Sequence, residues 1–162
     1  MSARETADTI IEVSGERWIK TGDYAEIDED GNVKIIGRKR AMFIRPDGHN
    51  VFPDLIRDYL AGCPIIKDVC VIGIKSKHNS HGKIPTAIVA LKDGTQDKGK
   101  AKREILEYQS HLLGERDGAI DVRFRDELPM TPIGKIDVLK IEQEESQHES
   151  DIDFDVLTAR KK

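Results

Sequence analysis

Along the chain, apolar and polar positions alternate at the two-residue period of half-buried strands, then recur at helical spacing, and then form strand-like runs again. Residues 1–15 show no period beyond Ile10, Ile11 and Val13, and read as a flexible lead or a short edge strand. Residues 17–23 (RWIKTGD) read as a strand that stops at a Thr-Gly-Asp corner. Residues 24–27 and 32–36 flank Asp28-Glu-Asp-Gly31, and an Asp-Gly turn between two β-type runs predicts a hairpin. A second hairpin is expected from residues 42–45, through Pro46-Asp-Gly48, to residues 50–52.

The period changes after Pro53, a residue suited to a first helical turn. Leu55, Ile56, Tyr59 and Leu60 recur at helical spacing until Gly62 ends the run. Two β-branched apolar runs, 69–74 and 84–91, bracket the polar loop KSKHNSHGK. Residues 98–113 place Ala101, Ile105, Leu106, Leu112 and Leu113 on one helical stripe, with Gly114 as the stop. Residues 122–125 alternate as a strand does, and 136–145 form a short amphipathic helix. Between them, LPMTPIGK holds two prolines and a glycine, which exclude both helix and strand and predict an exposed, shaped loop with Lys135 at its tip. The acidic residues 146–162 are expected to be disordered. The predicted fold class is α+β: a β-hairpin region, 1–39, followed by a small domain, 40–145, whose three-stranded sheet is covered on one face by two or three helices.

Composition narrows the function classes. At 162 residues there is room for one ordinary domain, or a small domain with part of another. Charged residues make up 35% and mean hydropathy is -0.50, and no apolar run approaches the roughly 20 residues that span a bilayer. The first ten residues lack the apolar centre of a secretory signal, so a cytoplasmic protein without membrane partners is expected. With a net charge of -4, no global field attracts nucleic acid, and the basic runs 34–40 and 98–103 read as solvated faces. Cys63 and Cys70 lie in apolar surroundings at a spacing that suits neither zinc nor redox chemistry, and are expected to be buried thiols. His78 and His81 have no third ligand within reach along the sequence, so no metal is assigned to them.

Three positions remain as candidate chemistry. Asp23, ending the Thr-Gly-Asp corner, fits an ordinary turn and equally a carboxylate that accepts two hydroxyl groups, as a ribose diol requires. Arg38, after Gly37, would add a guanidinium beside it, which suits a nucleotide phosphate. Lys135 fits a solvated surface lysine on local chemistry alone. In order, the stretches WIKTGDYAEIDEDGNVKIIGRKR, HNVFPDLI, VCVIGIK, HGKIPTAIVAL and LPMTPIGKIDVLK resemble the adenylate-forming superfamily of acyl-CoA synthetases, carrier-protein adenylation domains and luciferase. The likeness runs from about Trp18 to Leu139 and leans toward acid:CoA ligases.

That resemblance implies a reaction in two halves. A carboxylate and ATP give an acyl-adenylate and pyrophosphate, and the acyl group then passes to the thiol of coenzyme A. By the same likeness Asp23 grips the ATP ribose, Arg38 meets the ribose and phosphate region, and Lys135 bridges the carboxylate oxygen and the α-phosphate. The domain after the hairpin is implied to be mobile, swinging about a hinge at Arg40 so that in a second pose the Gly48 turn faces the pantetheine thiol. Here Arg40 stands where the family usually has Asp or Lys, one extra residue precedes Gly48, and Leu55 and Arg57 replace an acidic pair. No stretch resembles the phosphate loop, the adenine and acid pockets or the acidic metal motif of the family's large N-terminal domain. The expected partners are therefore that missing large N-terminal domain and a small carboxylic acid, with Mg2+ held mainly by the missing domain. A C-terminal piece or remnant of this kind is expected not to turn over alone. A carrier-protein adenylation domain and a non-catalytic nucleotide-, CoA- or protein-binding module are the alternatives, and the apolar hairpin predicts self-association into a homodimer.

Overall fold

The structure, a computed structural model, describes residues 9–79, 81–94 and 97–159. The chain divides into two compact units at Arg40/Ala41. The first holds two antiparallel hairpins. Strands β1 (Ile10–Val13) and β2 (Glu16–Ile19) form one, and β3 (Asp23–Ile27) and β4 (Val33–Arg38) form the other. The lead is thus a strand where it is described, while residues 1–8 lie outside the described residues. The strand expected over 17–23 stops at Ile19, and Asp23 already belongs to the next one. The reason is Gly22, whose φ of +78° turns the chain between them. In the β3–β4 turn, Asp28 Oδ1 accepts the backbone N–H groups of Asp30 and Asn32 at 3.0 and 2.8 Å. A further bond, from the Asn32 side chain, is the main reason the Asp28 carboxyl lies below its ordinary value. Trp18, Ile19, Ile27, Val33 and Ile35 remain exposed.

In the second unit, β5 (Phe43–Ile44) and β6 (Asn50–Val51) form a short hairpin, and α1 (Pro53–Leu60) follows with proline in its first turn. The sheet has the order β7-β8-β9, with β7 (Ile66–Ile74) antiparallel to β8 (Ile84–Leu91) and β9 (Asp121–Arg125) parallel to it. Helix α2 (Lys98–Asp117) makes the crossover that a parallel pair requires. Asp97 caps it by accepting the Lys100 N–H at 2.9 Å. Of its predicted stripe, Ala101 and Ile105 are buried and Leu106 and Leu113 half-buried; the Leu112 side chain lies outside the described residues. The helix does not stop at Gly114. It runs on to Asp117, because the side-chain amide of the buried Gln109 accepts from the Ala119 N–H at 2.8 Å and donates to the Ala119 carbonyl, which holds the exit one turn later.

Strand alternation sends the sheet's side chains into two cores. Val69, Val71, Ala87, Val89 and Val122 pack with Ile56 and Leu60 of α1 and Ile105 of α2. Cys70, Ile72, Ile74, Ile88 and Ala90 pack on the other side with Leu128 and with Ile141 of α3 (Val138–Glu145). Helices therefore cover both faces, not one. The near-continuous apolar runs of β7 and β8 have that physical origin, since a strand buried on both sides has no polar face to alternate with. Burial pushes the Cys70 thiol up to about 12 and raises Cys63 as well, so both are inert core groups.

The expectation of disorder after residue 146 is also corrected for residues up to 159. Ser150 pairs with Ser76 in a parallel bridge, α4 (Phe154–Ala159) follows, and both Ser150 and Phe154 are buried. An acidic composition hid one aromatic anchor and a short run of backbone pairing. Residues 160–162 lie outside the described residues.

Candidate functional site

In the first unit, hairpin register places Asp23 directly opposite Arg38. The Arg38 Nε is 3.1 Å from Asp23 Oδ1, and its Nη1 donates to the Thr21 carbonyl at 3.3 Å. Thr21 Oγ1 accepts the Asp23 N–H at 3.2 Å, and the Gly22 carbonyl accepts the Lys39 N–H at 2.8 Å, so the corner is fastened to both strands. The Asp23 side chain is 19% exposed and that of Arg38 61% exposed, so the carboxylate is held in place while the guanidinium reaches into solvent. An anchored acceptor beside a fork of donors can take a diol and a neighbouring phosphate together. Arg40 is exposed in the turn that ends this unit, directly at the boundary between the two.

Lys135 belongs to the second unit, on the loop between β9 and α3. The Gly134 N–H donates to the Thr131 carbonyl at 2.9 Å, closing a turn around Pro132 and Ile133. Gly134 has φ +75°, and the Lys135 N–H then returns to Thr131 Oγ1 at 3.1 Å. Met130 and Ile136 pair across the base, where the Asp137 N–H donates to the Pro129 carbonyl at 2.7 Å. Leu128 is buried in the second core, Ile136 packs beside it, and Asp137 caps α3 by accepting the Lys140 N–H at 3.1 Å. The tip is different: Ile133 is 78% exposed, Lys135 is exposed, and its ammonium joins none of the ion pairs among the described residues. A rigid, core-anchored arm thus presents one uncompensated cation.

The third position is the β5–β6 turn. Gly48 has φ +85°, a conformation that suits glycine, and its N–H donates to the Arg45 carbonyl at 2.9 Å. Arg45 is buried, and its guanidinium takes both carboxylate oxygens of Asp47. That pairing is the main reason Asp47 is held down at about 2, against the opposing effect of burial. His49 Nδ1 lies 3.1 Å from the same carboxylate. Nothing stands within 4 Å of where a Gly48 Cβ would be, so the turn presents open backbone.

A set of side chains that the sequence reading did not single out lies behind the Lys135 loop. Arg123 and Arg125 of β9 meet Glu145 of α3 at 2.7 and 2.6 Å, and Arg125 also meets Glu144. Burial alone raises the Glu145 carboxyl; the bonds from Arg125 and Arg123 outweigh it, and the group lies below its ordinary value. This clamp ties α3 to the sheet edge and so sets the exit of the loop. The alternation of Arg123 and Arg125 was its one sequence signal.

Residues 57–135 match the family model of the AMP-binding enzyme C-terminal domain. The mitochondrial medium-chain acyl-CoA ligase ACSF2 of Macaca fascicularis is 30% identical over 137 residues, covering 84% of this chain and 21% of the relative. Among solved structures, a fatty acyl-CoA synthetase of Mycobacterium tuberculosis superposes with a TM-score of 0.64 at 29% identity, covering 90% of this chain and 27% of that one. ATP-bound MatB of Rhodopseudomonas palustris gives a TM-score of 0.68 at 26% identity, with coverage of 90% and 27%. The chain spans about a fifth of the length of the curated relatives it matches.

Proposed function

The chain belongs to the AMP-binding enzymes through their C-terminal domain, and from that premise we propose that it supplies the adenylation lysine, Lys135, to an AMP-forming acyl-CoA synthetase. On this reading it works with a large adenylation domain that holds the carboxylic acid and the adenine. ATP supplies the α-phosphorus that the carboxylate attacks, and coenzyme A supplies the accepting thiol. Lys135 places its ammonium between the carboxylate oxygen and the α-phosphate, where charge is shared as the new bond forms. An ammonium on a four-carbon stem reaches such a point without needing a planar partner. Asp23 accepts the ribose hydroxyls, and Arg38 faces the phosphate side of the same nucleotide. On the same reading Mg2+ is held mainly by the large domain.

After adenylation, rotation at Arg40 withdraws Lys135 and brings the open Gly48 turn to the thiol. Moving the arm as one body limits the ordering entropy lost on docking. The observation that carries the proposal is the uncompensated cation on a loop whose base is locked into the core. Its test supplies a large adenylation domain, fused or in trans, and measures acid-dependent ATP–pyrophosphate exchange. Lys135→Ala is expected to lose on the order of 100-fold or more, the scale for removing one preorganised charge at a developing oxyanion. Equal exchange by both forms would overturn it.

A further inference from the structure

We infer that residues 150–154 are a strap that fixes the pose of the Gly48 turn, with Phe154 as a positioning residue acting through Arg45. The catalytic consequence rests on the reading of that turn as the one that meets the thiol. Three layers of contact carry the inference. First, the strap is stitched by backbone to the loop after β7: the Ser150 N–H donates to the Lys75 carbonyl at 2.8 Å, and the Lys77 N–H donates to the Ser150 carbonyl at 3.0 Å. Second, side chains lock its register. Ser76 Oγ donates to the Ile152 carbonyl at 2.6 Å, the Phe154 N–H donates to Asn79 Oδ1 at 3.0 Å, and Lys77 pairs with Asp151 at 2.7 Å. Third, this stitching delivers Phe154, only 3% exposed, to the underside of the β5–β6 hairpin, where the Arg45 guanidinium carbon lies 5.3 Å from its ring centroid.

Arg45 connects the strap to the turn. Its side chain, 6% exposed, is fixed between the Phe154 ring and Asp47, while its backbone carbonyl and N–H bond to Gly48 and His49. The opposite flank is seated as well: a Cβ on Gly82 would come within 2.5 Å of the Arg45 carbonyl carbon, and the Lys83 N–H donates to the Ile44 carbonyl at 2.8 Å. A ring beneath a desolvated guanidinium is attractive and directional, so it sets where Arg45 sits and with it Gly48 and His49, which bond to its backbone. The strap lies beyond residues 57–135, the extent of the family match.

The test is amide hydrogen exchange on the full chain. Phe154→Leu keeps the side chain apolar and removes the ring, whereas Phe154→Tyr keeps the ring. The leucine form is expected to exchange the Arg45 and Gly48 amides about tenfold faster, with the Val71 and Ile88 amides unchanged and the tyrosine form close to the parent. Unchanged exchange at Arg45 and Gly48, or an equal rise across the sheet, overturns the strap. A second arm joins the chain to a large adenylation domain and separates the half-reactions. Phe154→Leu is expected to raise the KM for the thiol several-fold and leave adenylate formation intact. Faster Gly48 exchange with an unaltered thiol step would leave the strap standing and refute the assignment of the turn; equal loss in both half-reactions would refute the positioning role.

Discussion

Strand β9 and the loop that follows it are neighbours in sequence, yet they use their cations in opposite ways. Arg123 and Arg125 are spent on Glu144, Glu145 and Asp121, in a network whose members other than the exposed Glu144 are largely shielded from solvent. Lys135 stands at an exposed tip with no carboxylate among the described residues in ion-pair range. The first arrangement has already satisfied its charges and can only hold helix to sheet. The second has satisfied its backbone and left its charge uncommitted, which is what a group must do if an external anion is to complete it. Rigidity comes from the tied pair, and the proposed chemistry falls to the uncommitted cation.

The contrast can be attacked from both sides. The largest effect is expected at the clamp: Glu145→Ala leaves two partly buried guanidinium groups short of their shared partner and should cost about 3 kcal/mol in urea unfolding. A loss near zero would mean that the network is ornamental and that the loop is positioned by something else. Acid comes next. Glu145 and Asp47 both have carboxyls depressed in the folded state, so each contributes stability that is complete above its unfolded value and lost as pH falls through its folded one. For Asp47 that window runs from 3.8 down to about 2. The urea midpoint should therefore fall steeply below pH 4, and Asp47→Asn should flatten the lower part of the fall, by on the order of 1–2 kcal/mol. Within the loop, Gly134→Ala meets no neighbouring atom, but the position demands φ +75°, and the strain should cost about 1 kcal/mol. Smallest of all, Lys135→Ala should change stability by less than about 0.5 kcal/mol, as expected for an exposed side chain without a partner. A cost above about 1 kcal/mol would show Lys135 to be structural and erase the contrast.

Much of this was legible from local pattern, and the remainder depended on contacts that pattern does not encode. The Asp-Gly turn, Pro53 at a first helical turn, the β-branched runs and the Pro-Gly loop each declare themselves within a few residues. Asp23 and Arg38 come together because that same turn fixes their register. The exit of α2 depends on Gln109 reaching Ala119, and the second core depends on Ile141 returning to the far face of the sheet. Neither is visible in a window of ten residues. The strap was missed for a related reason: its composition is that of a solvated tail, and one buried phenylalanine with a few backbone bonds decides otherwise. The roles proposed for Lys135, Asp23 and Arg38 rest on the order of motifs along the chain, since spacing alone leaves each with an ordinary surface reading.

The most direct test is competitive chemical labelling of lysine ammonium groups. In the chain alone Lys135 should react as fast as any solvated lysine. Joined to a large adenylation domain and given a non-hydrolysable acyl-adenylate mimic, it should become strongly protected while Lys77 and Lys102 keep their rates. If Lys135 stays as reactive in that complex as it was alone, the cation never enters the nucleotide site.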